Sequence, residues 1–254
     1  MTLGQLNPGP TGGSCAAADF AQLNVGTGNS YTVPEAGTIT QWSHNAAAGA
    51  GQMLTMKVLR KVADPLFFKV IGLDTRPLSP SVLNSFQVNI PVQAGDILGL
   101  NATAPSTACV FGGVPADTYL TKAGNLTPAD AGGSFTSSTG ARLNVSAVFE
   151  PSNTVTVGST TSNKKKGTAT LNLTLPNPGD LTAAGSGVSA SSAGHAQISK
   201  AVPAGAAQLL IKATGKKRKT LNQTGKVKLN VAITYTPTNG APGTQSVKVK
   251  LKKK

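Results

Sequence analysis

Residues 225–237 read GKVKLNVAITYTP, and the alternation in them is strict: Val227, Leu229, Val231, Ile233 and Tyr235 are apolar, with Lys226, Lys228, Asn230, Ala232 and Thr234 between them. Successive side chains of a strand point to opposite faces, so a period of two sends one set into a core and the lysines into water. The stretch predicts a half-buried strand. The pattern returns in residues 246–251, where Val247, Val249 and Leu251 alternate with Lys248 and Lys250 after the turn-rich link TPTNGAPG. Together the two stretches predict a terminal β-hairpin.

Working back from the hairpin, residues 168–175, 180–188, 196–202 and 207–213 carry four more strand patterns, the second broken by Gly185 and Gly187. With a small strand at 154–157, these predict an Ig-like β-sandwich over residues 151–254. Upstream, eight short strand candidates lie at 20–25, 31–33, 37–43, 52–60, 66–72, 83–90, 92–100 and 141–150, punctuated by Gly and Pro. They predict a jelly-roll-like sandwich over residues 1–150. Residues 101–139, rich in Ala, Gly, Ser, Thr and Pro, are expected to form rim loops, and residues 151–166 a polar connection. No long segment keeps apolar residues at helical spacing, so the expected class is all-β, two β-sandwich domains with less than about a tenth of the chain helical.

Charge divides the chain at the same place. Residues 1–150 hold seven Lys or Arg against eight Asp or Glu, whereas residues 151–254 hold sixteen against one, Asp180. Ten of the eleven aromatic residues precede residue 150, so the second half must build its core from Val, Leu and Ile. The first residues, MTLGQLNPGPTGGS, have neither a basic n-region nor an apolar run and read as a flexible end, not a signal peptide or membrane span. Cys15 and Cys109, without metal-ligand spacing, fit one disulfide, with two buried free thiols as the alternative.

The segments GTATLNLTLPNPGDLTAAGSGV and KVKLNVAITYTPTNGAPGTQSVKVKLKKK resemble the C-terminal β-sandwich modules of secreted proteins from high-GC Gram-positive bacteria. Through GTITQW, LTMKVLR, IPVQAGDILGL and RLNVSAVFEP, the first half resembles the jelly-roll-like module that often precedes them. The likeness is one of strand and turn patterning and contains no catalytic motif. It implies an extracellular or cell-surface location without an assigned activity.

The chemistry-bearing residues are sparse. The only histidines, His44 and His195, fall in different halves and read as loop or strand-end residues. The acids are scattered singly, and no G-x-S-x-G, H-E-x-x-H or Asp-rich calcium loop occurs. This argues against an enzyme and calls for no cofactor. A self-formed Lys–Asn cross-link needs an adjacent acid, for which the second half offers only Asp180. Trp42, Phe67, Phe111 and Tyr119 are the candidates for stacking on a sugar, against a competing reading that places Trp42 and one of Phe67 and Phe68 in the core.

Three basic clusters, Lys164, Lys165 and Lys166; Lys216, Lys217, Arg218 and Lys219; and Lys252, Lys253 and Lys254, are candidates for contact with an acidic cell-wall polymer or glycan. The competing reading is a solvated face that keeps edge strands soluble. Nucleic acid is disfavoured, because no aromatics are interleaved with these lysines. If each of the six main strands from Thr168 onward reverses direction, the three clusters meet at one end. The function expected is that of a non-enzymatic structural or adhesive protein of the bacterial exterior. A carbohydrate-binding module and a self-assembling coat or fibre subunit are the alternatives.

Overall fold

A computed structural model of the chain describes all residues except Pro10, Ala16, 104–107, 193, 194 and 197; within 191–200 only the backbone of the remaining residues is described. The fold is all-β with a single helix among the described residues, and the chain divides into two compact units, Met1–Glu150 and Pro151–Lys254. Among the described residues no helix is long and apolar enough to cross a membrane.

The first unit contains β1 (Thr2–Gln5), β2 (Ala18–Asn24), β3 (Gly37–Asn45), β4 (Met53–Ala63), β5 (Phe67–Pro77), β6 (Leu83–Val92), β7 (Ile97–Ala102), β8 (Val110–Gly112), β9 (Thr118–Ala123), β10 (Gly133–Ser134), β11 (Thr136–Thr139), β12 (Ala141–Leu143) and β13 (Val145–Pro151). A four-stranded sheet runs in the order β1-β13-β3-β6, and a seven-stranded sheet in the order β10-β5-β4-β7-β2-β9-β11. One core joins them, with Ile39, Trp42 and Phe149 from the first and Leu54, Met56, Val58, Leu98 and Leu100 from the second. A smaller cluster of Leu59, Phe68, Leu120, Leu126 and Phe135 lies on the opposite side of β4.

The second unit contains β14 (Thr156–Asn163), β15 (Thr168–Leu175), β16 (Gly179–Ala184), β17 (Val188–Ser192), β18 (His195–Ala196), β19 (Ile198–Val202), β20 (Gly205–Ala213), helix α1 (Gly215–Thr224), β21 (Lys226–Pro237) and β22 (Gly243–Lys252). Its sheets have the orders β14-β15-β20-β17-β18 and β19-β16-β21-β22. Leu171, Leu173, Leu209 and Ile211 of the one and Leu181, Leu229, Val231, Ile233 and Tyr235 of the other share a single core, so the unit is sandwich-like. The opening stretch behaves as its period dictates. Val227, Leu229, Val231, Ile233 and Tyr235 are buried, Lys226 and Lys228 are exposed, and β21 pairs with β22 along its length.

Several expectations need correction. The first residues are not loose: β1 pairs with β13, and Leu3 is buried, because its strand fills the sheet beside Ala147. Residues 101–139 are not simply loops, since β9 pairs with both β2 and β11 inside the seven-stranded sheet. Its sequence, TYLTKA, has only one fully buried residue, Leu120, and so carries a weak period. The polar connection at 151–166 is instead β14 hairpinned onto β15, with Asn163 opposite Thr168. Helix α1 was not expected over Lys216–Lys219, because only Leu221 in it is buried. Lys, Arg, Leu and Gln are nonetheless good helix formers, and Gly225 ends the helix in the left-handed conformation, donating its N–H to Leu221 O at 2.9 Å.

The basic end of the second unit as candidate functional site

The three basic clusters come from three different pieces of local structure. Lys164, Lys165 and Lys166 form the turn of the β14–β15 hairpin, whose Asn163 accepts the Lys166 N–H on its side chain at 3.0 Å. Lys216, Lys217, Arg218 and Lys219 lie in the first turns of α1, which starts two residues after β20. Lys252, Lys253 and Lys254 close β22 and the chain.

Pairing brings them together. Thr168, at the start of β15, stands opposite Lys212 near the end of β20, so the hairpin turn and the start of α1 share one end. Lys226 stands opposite Lys252, the Lys253 N–H donates to Gly225 O at 2.8 Å, and the Lys254 N–H donates to Lys164 O at 3.0 Å. On the other side, Val188 pairs with Ala213, and the Thr214 N–H reaches Gly187 O at 2.8 Å. A Cβ on Gly187 would lie 2.4 Å from Lys217 Cγ, so only glycine lets the lysine stem pack this close.

Charges that sequence reading set aside as a solvated face join the same end. Lys226 faces Lys252 and Lys228 faces Lys250 across the β21–β22 ladder, and all four are exposed. Like charges directly opposite each other destabilise a sheet. Asp180, the unit's one acid, pairs with Thr236 at the far end of β21 and accepts the Ala201 N–H at 2.9 Å. Among the described residues, all five ion pairs lie in the first unit.

There the charged groups are absorbed by structure. Lys57 and Asp19 are both fully buried and paired; Lys57 Nζ also donates to Asn125 Oδ1 at 2.7 Å and Leu126 O at 2.6 Å. The Leu126 N–H returns a bond to Asp19 Oδ2 at 2.8 Å, so the pair clamps both backbone groups of one loop residue. Burial pulls the Lys57 ammonium below its ordinary range, against the stabilising pull of Asp19. Burial alone would raise Asp117, but Arg142 and the N–H groups of Gly26 and Val114 hold it below the usual carboxylate range.

The aromatic candidates do not form one platform. Trp42 is fully buried in the core and donates Nε1–H to Asp74 Oδ2 at 2.8 Å, so it offers no stacking face. Phe67 is half-buried against Gly132, while Phe68 is core. Tyr119 stacks on Phe20 with ring centroids 6.2 Å apart. Phe111 alone lines a groove, an open one of ≈ 660 Å³ with Asn7, Pro8 and Thr11.

Cys15 and Cys109 are joined by a disulfide, their Cα atoms 5.6 Å apart. His44 lies at the end of β3, one of the two places expected for it, and is fully buried, its Nδ1 2.6 Å from Asn144 O. The His195 side chain lies outside the described residues. No family model and no curated protein matches the chain.

Proposed function

We propose that the chain is a non-enzymatic structural or adhesive protein of the cell exterior that docks on an acidic polymer through the basic end of its second unit. The observation that carries this reading is the meeting of residues 164–166, 216–219 and 252–254 at one end, with the unit's single acid at the other. Scattered lysines would keep edge strands soluble equally well. Gathered lysines repel one another, and an anionic partner removes that cost.

Two further observations support the reading. A disulfide persists in oxidising compartments, which favours an exported location. Tyr235, the one aromatic residue of the second unit, is fully buried, so no ring there can stack a nucleobase. This favours a wall polymer or acidic glycan over nucleic acid.

The test is binding of the whole chain to immobilised polyglutamate, poly(glycerol phosphate) and heparin over a salt series. The logarithm of the affinity falls linearly with the logarithm of the salt concentration, as expected when condensed counterions are released. Replacing Lys216, Lys217, Arg218 and Lys219 together by Gln weakens binding and flattens the slope. Salt-insensitive binding, or none to any of the three, returns these lysines to a solvated surface.

A further inference from the structure

At the basic end, the outer face of the β14–β20 sheet carries a row that no sequence pattern announces. Thr168 on β15 stands opposite Lys212 on β20, and Lys212 stands opposite Ser189 on β17. Directly paired residues share a face with Cβ atoms roughly 5 Å apart, so the row sets side by side a buried Thr168 hydroxyl, the exposed Lys212 ammonium and the half-buried Ser189 hydroxyl. Arg218 and Asn222 of α1, Lys166 of the hairpin turn and Lys253 of the chain end join this row around a groove of ≈ 460 Å³. The volume lies within the range of about 300–1,000 Å³ common for small-ligand sites.

The groove is rich in donors, with four cations and three hydroxyl groups in its lining, and no carboxylate lines it. Lys253 Nζ donates to Asn222 Oδ1 at 2.8 Å, which leaves the Asn222 amide only its N–H groups to give. Among the described residues no side-chain or backbone oxygen accepts from the side chains of Lys166, Lys212 or Arg218.

The donor count separates ligand classes. A planar carboxylate has two oxygens, and one guanidinium fork satisfies both. A phosphate or sulfate monoester is tetrahedral and presents a third terminal oxygen to the lysines and hydroxyls after the fork has taken one edge. We infer that this groove binds a tetrahedral oxyanion ester, phosphate or sulfate, with Arg218 gripping two oxygens and Lys166, Lys212 and Lys253 neutralising the rest. The inference rests on the polymer-docking reading above and narrows it to one groove and one anion chemistry.

The experiment uses the whole chain and three polymers matched for charge: a glycan bearing phosphate monoesters, a sulfated glycan and polyglutamate. The phosphorylated or the sulfated glycan binds about tenfold or more tightly than polyglutamate, and the stronger of the two names the source of the ester. Lys212→Gln removes a cation that only the oxygens beyond the fork reach, so it reduces that preference, while polyglutamate, whose carboxylate the Arg218 fork satisfies, is weakened less. The pair Lys228→Gln and Lys250→Gln, outside the groove, weakens all three polymers alike. Equal affinities for the three polymers, or a preference untouched by Lys212→Gln, overturns the groove and leaves the docking reading standing. Failure of all three polymers to bind overturns both.

Discussion

Protonating His44 would place a second N–H, on Nε2, in a fully buried position where that atom has no partner, while Nδ1 already holds Asn144 O. Burial, only partly opposed by the Asn144 carbonyl, lowers its pKa from the ordinary 6.5 to about 4. Between these values the unfolded chain binds the proton and the folded one does not, so stability rises with pH across that window. The stabilisation from keeping the ring neutral is complete above pH 6.5 and is lost as the pH falls through 4. A shift of this size corresponds to about 3 kcal/mol. Urea unfolding followed by Trp42 fluorescence should therefore give a midpoint that falls steadily from neutral pH to pH 4, and His44→Asn should flatten that dependence. An unchanged slope in the variant would place the acid sensitivity elsewhere. Lys57 makes a different point at the same scale: its buried charge is matched by Asp19 and two carbonyl oxygens, so it is a fastening and not a free nucleophile.

The β21–β22 hairpin was legible in the sequence because its apolar residues alternate without a break, and twelve residues of β21 leave no second register that buries the same set. Helix α1 was not legible, since Leu221 is its single buried residue and a polar helix has no period to read. β9 was hidden in the same way by its threonines and lysine. The meeting of the lysine clusters survives a wrong strand count for a simple reason. The expected four strands from Thr168 to Lys216 are six, because the segment after β16 folds into β17, the short reversal β18, and β19. Adding two reversals leaves the direction of β20 unchanged. The groove, by contrast, depends on Thr168, Lys212 and Ser189 sharing a register, which only the pairing reveals. The hairpin also separates stability from function. Lys228→Glu turns a like-charged cross-strand pair with Lys250 into an opposite one and should stabilise the second unit by about 0.2–1 kcal/mol. The same change should weaken polyanion binding. If binding strengthens or stability falls, the lysine ladder is not held for an anionic partner.

The two units differ in what holds them, and this can be observed within one molecule. The first unit has the disulfide, the five ion pairs and the chain's only tryptophan, Trp42, whose fluorescence reports its unfolding alone. The second unit has sixteen basic residues, one acid, and a core without a cross-link. Reduction of Cys15–Cys109, which spans 94 residues, removes about 4–5 kcal/mol from the first unit on chain-entropy grounds and should shift only the Trp42 transition. Salt should act on the other unit. Repulsion among exposed lysines at one end is screened once the Debye length falls from about 30 Å at 0.01 M to about 8 Å at 0.15 M. Screening relieves the folded second unit more than its expanded unfolded chain, where the same charges lie further apart. Relief of about 1 kcal/mol raises the midpoint of a domain this size by about 4 °C. In calorimetry of the reduced and oxidised protein, the transition that Trp42 does not follow should move up with salt, and it should move further on adding polyphosphate at low salt, because a ligand of the folded state stabilises it. If that transition is indifferent to both, the lysines neither strain the second unit nor answer to a polyanion.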